Sequence, residues 1–297
     1  MNRIWLTSFF AFGTIMWYET VNGSSWEVSM LVAVLMTLLA LNELYGKGRP
    51  LLVGLWAGLA GIARYDLVLV WPVYVLCTLS SVAEHPVSNR QVAKKTASTC
   101  APAGLGRTSI LAVRFDSRRV LQFIPGFALA AVIYVWFNWA RFGTITDTAF
   151  SHYNPLNGNI EMTSTPTLFA WRYFPGNFFT LFFMAPRLDA TFPYIHPQAG
   201  GQSILTTSPA FLLALRASWK RLDVDLMGLA AILAALPVLF YVGNGMSQYG
   251  TRHFVAVFPF LLVLMGMAEL DQMGKALIVV SICLMALGMY SIRVSGL

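Results

Sequence analysis

Residues 121–140 read LQFIPGFALAAVIYVWFNWA, twenty positions without a charge, with Arg118 and Arg119 ahead of them and Arg141 behind. A helix of that length rises about 30 Å, the thickness of the hydrocarbon core of a bilayer. Lipid offers no partner to a backbone amide, so a run of this kind crosses as a helix. A second run, ALIVVSICLMALGMY at 276–290, has the same character. Working outward from these two, the chain is 57% hydrophobic and 11% charged, against roughly 45–50% and about 25% in a soluble domain. Its mean hydropathy is +0.64. The composition predicts an integral membrane protein and excludes an ordinary soluble fold.

Apolar runs and their punctuation predict about nine helices, at 4–18, 26–45, 51–63, 67–82, 120–140, 204–215, 226–242, 254–269 and 276–293. The first follows Arg3, lacks a small-residue cleavage site and leads into further spans, so it reads as a retained helix rather than a secretory signal. Runs 51–63 and 67–82 are short for independent spans and predict a tight hairpin turning at Arg64, Tyr65 and Asp66. The fold expected is an all-α polytopic transmembrane bundle, one domain over 1–297, with no internal repeat.

Placing Arg3 in the cytoplasm and switching sides at each helix puts every lysine (Lys47, Lys94, Lys95, Lys220 and Lys275) inside, as the positive-inside rule requires. The basic residues left outside are all arginine: Arg64, Arg141, Arg172, Arg187, Arg252 and Arg293. The net charge of +7 is thus explained by topology, and nucleic acid is not an expected partner. Segment 84–119 is polar and basic and reads as a cytoplasmic loop. Segment 141–203 scatters Phe, Trp and Tyr among Pro and Gly, as in Trp171-Arg172-Tyr173-Phe174-Pro175, and reads as an outer-face loop layer at headgroup level.

Three cysteines, Cys77, Cys100 and Cys283, have no paired spacing and give no metal or disulfide signal. His85, His152 and His196 show no ligand spacing, so no metal site is expected from them. Phosphate-cradling glycine loops are absent. Gly54 and Gly58, with Gly61 nearby, fit a small-xxx-small pattern for close helix packing.

The outer set also contains six carboxylates, Glu19, Glu27, Asp66, Asp147, Glu161 and Asp189. A carboxylate at a bilayer boundary is costly unless paired or functional. Arginine suits a phosphate because its planar fork donates two parallel hydrogen bonds and stays charged. Arg252, in Gln248-Tyr249-Gly250-Thr251-Arg252-His253 at the mouth of a helix, is the leading candidate, the competing reading being an arginine that snorkels to headgroups. His253 is either a proton carrier or a hydrogen-bonded structural residue.

In this order the pieces resemble the polytopic C-type glycosyltransferases (GT-C), which include protein O-mannosyltransferases and bacterial aminoarabinose transferases. Four segments carry the resemblance. Gly13-Thr14-Ile15-Met16-Trp17-Tyr18 followed by Glu27 is similar to the family's helix, outer turn and acidic residue. Residues 54–64, GLWAGLAGIAR, followed by Trp71-Pro72, resemble its glycine-rich short helix and Pro-containing return. Asn138-Trp139-Ala140-Arg141-Phe142-Gly143 with Asp147 resembles the exit into the outer domain, and Tyr249-Gly250-Thr251-Arg252-His253 with Pro259 resembles its late element.

The resemblance implies a sugar transferase of a bacterial or archaeal plasma membrane, using a polyprenyl-phosphate sugar as donor at the outer face, sometimes with a divalent metal. By position Glu27, Glu19 and Asp147 form the catalytic acidic pole. Arg252, Arg64, His253, Tyr249 and Arg141 bind substrate, with Arg252 and Arg64 on the lipid phosphate. Members of the family carry an acid in a first outer loop that this chain is expected to lack, together with the helix before it. A transporter or lipid flippase, with charges near the bilayer midplane, and a non-catalytic scaffold stand as alternatives.

Overall fold

The computed structural model describes residues 2–79, 117–145, 169–190, 192, 194–198, 200–243 and 248–295. Asp147, Glu161, His85, His152, Cys100 and most of the predicted basic loop lie outside the described residues. The described chain is mostly helical. Four helices are long and apolar enough to cross a membrane, α3 (Ser25–Tyr45), α6 (Ser117–Phe142), α9 (Leu222–Phe240) and α11, whose apolar part is Gln272–Val294. They mark the chain as a membrane protein. The outward side of α6 supports this, since Leu121, Ile124, Leu129, Val132 and Trp136 are all exposed, an apolar strip that water would penalise.

Several predicted runs are broken rather than continuous. Run 4–18 divides into α1 (Asn2–Phe12) and α2 (Met16–Asn22). The break is held by Thr14, whose hydroxyl donates to the Phe10 carbonyl at 2.8 Å and accepts from the Met16 N–H at 3.2 Å. Run 204–215 divides at Ser208-Pro209 into α8 (Ile204–Thr207) and a 3₁₀ helix (Pro209–Arg216), because proline has no N–H to continue the ladder. Run 67–82 is a 3₁₀ helix (Tyr65–Val70) leading into α5 (Trp71–Leu79), with residues from 80 onward undescribed. Run 254–269 is likewise a 3₁₀ helix (Arg252–Val257) leading into α10 (Phe258–Met267).

The described part of the predicted loop layer 141–203 contains some regular structure. It contains helix α7 (Phe174–Phe182), entered through a 3₁₀ turn (Trp171–Tyr173), and an antiparallel hairpin of β1 (Arg187–Leu188) and β2 (Ile195–His196). Pattern reading missed α7 because Pro175 and Gly176 punctuate it, yet proline in a first turn costs no helical hydrogen bond.

The core is organised around α4 (Pro50–Ala63), which lies against both α3 and α6. Helices α4 and α6 run parallel, since Gly54 faces Phe123 and Gly58 faces Ala130. The approach is close enough that a Cβ at Gly126 would fall 1.9 Å from the Leu51 carbonyl oxygen, and one at Gly54 2.3 Å from that of Phe123. The predicted hairpin of runs 51–63 and 67–82 has its two arms in contact over the described residues: Trp71 lies over Gly61 and its indole N–H donates to the Ala57 carbonyl at 3.0 Å. At the end of the bundle opposite the arginine turn, Arg49 pairs with Glu43 and Arg221 with Asp223. There Arg216 grips Asp271 at 3.0 and 2.9 Å while the Gly274 N–H caps the same carboxylate. Those donors hold Asp271 at about 2, Arg216 contributing most.

The glycine contacts give a direct test. Gly126→Ala destabilises the protein by about 1–3 kcal/mol, the usual cost of overpacking, whereas Gly176→Ala, with nothing within 4 Å of its Cβ, leaves the unfolding midpoint near that of the parent. Thermal unfolding in detergent compares the two, and equal midpoints would show that the α4–α6 approach is not as tight as described.

Candidate functional site

Three stretches distant in sequence, around Glu19 to Glu27, Arg64 and Arg252, meet at one end of the bundle. Helix α2 contributes Glu19. It ends at Gly23, whose positive φ of 57° lets its N–H return to the Glu19 carbonyl at 3.2 Å, and the chain turns at once into α3, with Glu27 in its first turn. A carboxylate there faces the unpaired N–H groups of the helix start. Arg64 stands in extended conformation between α4 and the 3₁₀ helix that follows. Arg252 opens the later 3₁₀ helix.

The pairing is specific. Arg64 holds Asp66 in a two-pronged grip, Nε to Oδ1 at 3.1 Å and Nη2 to Oδ2 at 3.0 Å. Arg252 donates through Nη1 to Glu27 Oε1 at 3.4 Å, a long contact, while its backbone N–H donates to Gln248 Oε1 at 3.1 Å. Its Nε is buried and has no hydrogen-bond partner in the described structure, and neither does Glu27 Oε2. Glu19 is fully buried, and both of its carboxyl oxygens lack a partner. Glu19 lies in the electrostatic field of Glu27, Arg252 and Arg64 together, so the two arginines share one neighbourhood. Burial first, and Glu27 second, push the Glu19 carboxyl up to about 8 against the opposing pull of both guanidinium groups.

His253 lies within the field of both arginines, its ring 5.5 Å from that of Tyr241. Tyr249 does not join the cluster through any contact described. It is fully buried with its ring against Gly288 of α11, where a Cβ would come within 2.2 Å, and burial raises its hydroxyl to about 12. Arg141 is exposed at the end of α6, its guanidinium over the rings of Phe137 and Phe142. Asp147 falls outside the described residues.

The structure adds residues that sequence reading did not single out. Asp66 was counted among the outer carboxylates but given no role, and it is the partner of Arg64. Gln202 and Gln248 are fully buried. The Gln202 N–H donates to the Gly250 carbonyl at 3.1 Å, and the Thr251 hydroxyl donates to the Gln202 carbonyl at 3.0 Å. This strap fixes the residue before Arg252, and it needs glycine at 201 and 250, where φ is +97° and +113°. Both polar atoms of the Gln202 side chain are buried without a partner. Gln248 was legible as a polar residue beside Arg252; Gln202, in a glycine-rich loop, carried no such signal.

A divalent ion, which the resemblance allows, would find two carboxyls here, Glu19 and Glu27, beside the Arg252 guanidinium. Among the described residues no group of three or more His, Cys, Asp or Glu converges on one point, so the donor set does not fit a metal. No family model, curated protein or solved structure matches the chain. The arrangement itself can bind an anion: Arg252 has a free Nε and only a long contact to Glu27, so its fork has capacity for an incoming oxyanion.

Glu19 has a measurable signature. Its value in the folded chain lies above the ordinary 4.5, so between the two values the folded state holds a proton that the unfolded state has released. The stability this contributes is complete below about pH 4.5 and is lost as pH rises through about 8. Unfolding midpoints in detergent at about pH 5 and about pH 9 should therefore differ for the parent, lower at the alkaline value, and this difference should shrink in Glu19→Gln. An identical pH slope in the two proteins contradicts the assignment.

Proposed function

We propose that this chain is a multi-pass membrane protein of GT-C-like architecture that transfers a sugar from a polyprenyl-phosphate donor to an acceptor at the outer membrane face. The observation that carries this reading is the convergence of Glu19, Glu27, Arg64 and Arg252 at one end of an otherwise apolar bundle. The four residues come from the segments in which the resemblance was found, apart from the exit element around Arg141. The placement of charge at helix ends also favours an enzyme over a transporter, whose charged groups belong near the bilayer midplane.

In this reading each residue has a role. Arg252, through its fork, takes the phosphate of the lipid-linked donor, and Arg64, already anchored by Asp66, adds positive potential beside it. As phosphate draws Arg252 away from its long contact, Glu27 is released to accept the proton of the acceptor hydroxyl. The hydroxyl oxygen then bonds to the anomeric carbon. The bond from that carbon to the phosphate oxygen breaks, and its electron pair leaves with the polyprenyl phosphate, whose charge the two arginines hold. Glu19, protonated near neutral pH, supplies a hydrogen-bond donor without adding negative charge to a site that must hold an anion.

The assay uses membranes containing the full chain and a radiolabelled polyprenyl-phosphate hexose or pentose. Arg252→Ala and Glu27→Gln should each reduce transfer about 10²-fold or more, the usual cost of losing a group that meets transition-state charge, while Arg216→Ala at the opposite end leaves it intact. Full transfer in both Arg252→Ala and Arg64→Ala would overturn the proposal.

A further inference from the structure

Helix α7 is held firmly from one side and left bare on the other. Asn177 places its amide nitrogen 3.0, 3.1 and 2.7 Å from the carbonyl oxygens of Val238, Leu239 and Tyr241, which the end of α9 leaves without helical partners. The Ala170 N–H donates to the Phe240 carbonyl at 3.0 Å. The Phe240 ring meets Trp171 at 4.7 Å and Phe174 at 5.5 Å. At its far end α7 reaches the site, where Phe182 lies 6.4 Å from Phe254, two residues beyond Arg252.

Its other face consists of rings. Trp171 is 81% exposed, Phe183 59%, Phe179 52% and Phe178 40%, and the phenylalanines stack mainly on one another. A soluble surface does not hold four large aromatic groups together in water without a partner. The partner is specified by where the helix sits. It is clamped to the last turn of α9, a helix long and apolar enough to cross a membrane, which itself exposes Leu229 and Ile232 further down. The ring face thus lies at the height where a span ends. No residue of α7 is charged, and the flanking Arg172 lays its guanidinium over the Tyr173 ring at 4.9 Å and donates to its hydroxyl at 2.8 Å. Aromatic rings with arginine at their edge match the boundary between headgroups and acyl chains.

We infer that α7 and Trp171 form an interfacial anchor that seats its rings in the headgroup boundary of the same bilayer the long helices cross, fixing the Arg252 turn at that depth. The inference rests on the membrane reading above but not on sugar transfer. It assigns the partner as a lipid surface, not a second protein.

Spin labels test it on the full chain reconstituted in phosphatidylcholine bilayers, with Cys77, Cys100 and Cys283 replaced by serine and single cysteines placed at Phe179, Phe183, Ile232 and Arg187. Labels at Phe179 and Phe183 should collide faster with oxygen, which concentrates in lipid, than with a water-soluble nickel chelate, as the label at Ile232 does, while the label at Arg187 favours nickel. If Ile232 reports lipid but Phe179 and Phe183 favour nickel, or are shielded from both reagents by another segment, the anchor is refuted and the membrane reading stands. If Ile232 also favours nickel, the membrane reading fails and takes the anchor with it. A lipid carrying a photoactivatable group near its headgroup provides a check on the unsubstituted chain: crosslinks should appear in residues 171–183, and their absence where span peptides are labelled counts against the anchor.

Discussion

Arg252 and Glu27 face each other across 225 residues of sequence, and the fold at this end of the bundle is arranged around keeping them there. Neither group is satisfied by the other alone. Their contact is 3.4 Å, Arg252 Nε and Glu27 Oε2 are buried without partners, and Glu19 adds two more buried oxygens in the same condition. Unpaired buried polar atoms each cost on the order of 1–3 kcal/mol, and most proteins hold few of them. A cluster of them at one point is a cost that stability alone does not explain. A ligand able to use the free donors and acceptors does explain it.

That cost has to be carried by the apolar bundle beneath. The glycines at 54, 58 and 126 let α4 and α6 approach until backbone meets backbone at 54 and 126 and the Ala130 methyl at 58, which gives dispersion contact in a setting where burial from lipid supplies little driving force. Helix α4 ends at Arg64, so the same close packing that holds the two helices also sets where that guanidinium stands. Asp66, two residues on, keeps it from swinging away. The electrostatics of the site thus depend on helix packing several turns below.

Much of this was legible from the residues themselves. The long spans could be read because nothing but apolar length is needed to specify them, and α6 and α11 begin and end within a few residues of their patterns. The hairpin around Arg64 was legible because two short runs flank three polar residues. What pattern could not give was continuity: runs 4–18, 204–215 and 254–269 look uniform in hydropathy, and they break or change winding at Thr14, Ser208-Pro209 and Phe258-Pro259. The arginines and carboxylates of the site were identifiable as outer charges, but their pairing was not, since Asp66 rather than a distant acid serves Arg64. Tyr249 shows the opposite limit: within a motif it looks functional, while its ring is a packing element against Gly288.

Three entries into helices have a common form. Arg64, Ala170 and Thr251 are each extended residues at the head of a 3₁₀ helix, and each 3₁₀ helix passes into an α-helix whose second residue is proline, Pro72, Pro175 or Pro259. An arginine stands within two residues of the head every time, as Arg64, Arg172 and Arg252. The physical sense is local. Proline in the first turn occupies a position whose N–H would have no acceptor, and the narrower 3₁₀ winding before it brings the chain in from the bundle's end with fewer unpaired amides. An arginine at that entry has its backbone fixed by the turn and its long side chain free to reach along the rim. Two of the three pair with separate acids, Asp66 and Glu27, on either side of Glu19, and the third lies over Tyr173 beside the exposed rings of α7. One construction, used three times, therefore brings arginines to the end of an apolar bundle, and what each one meets there, Asp66, Glu27 or the Tyr173 ring, depends on its neighbours.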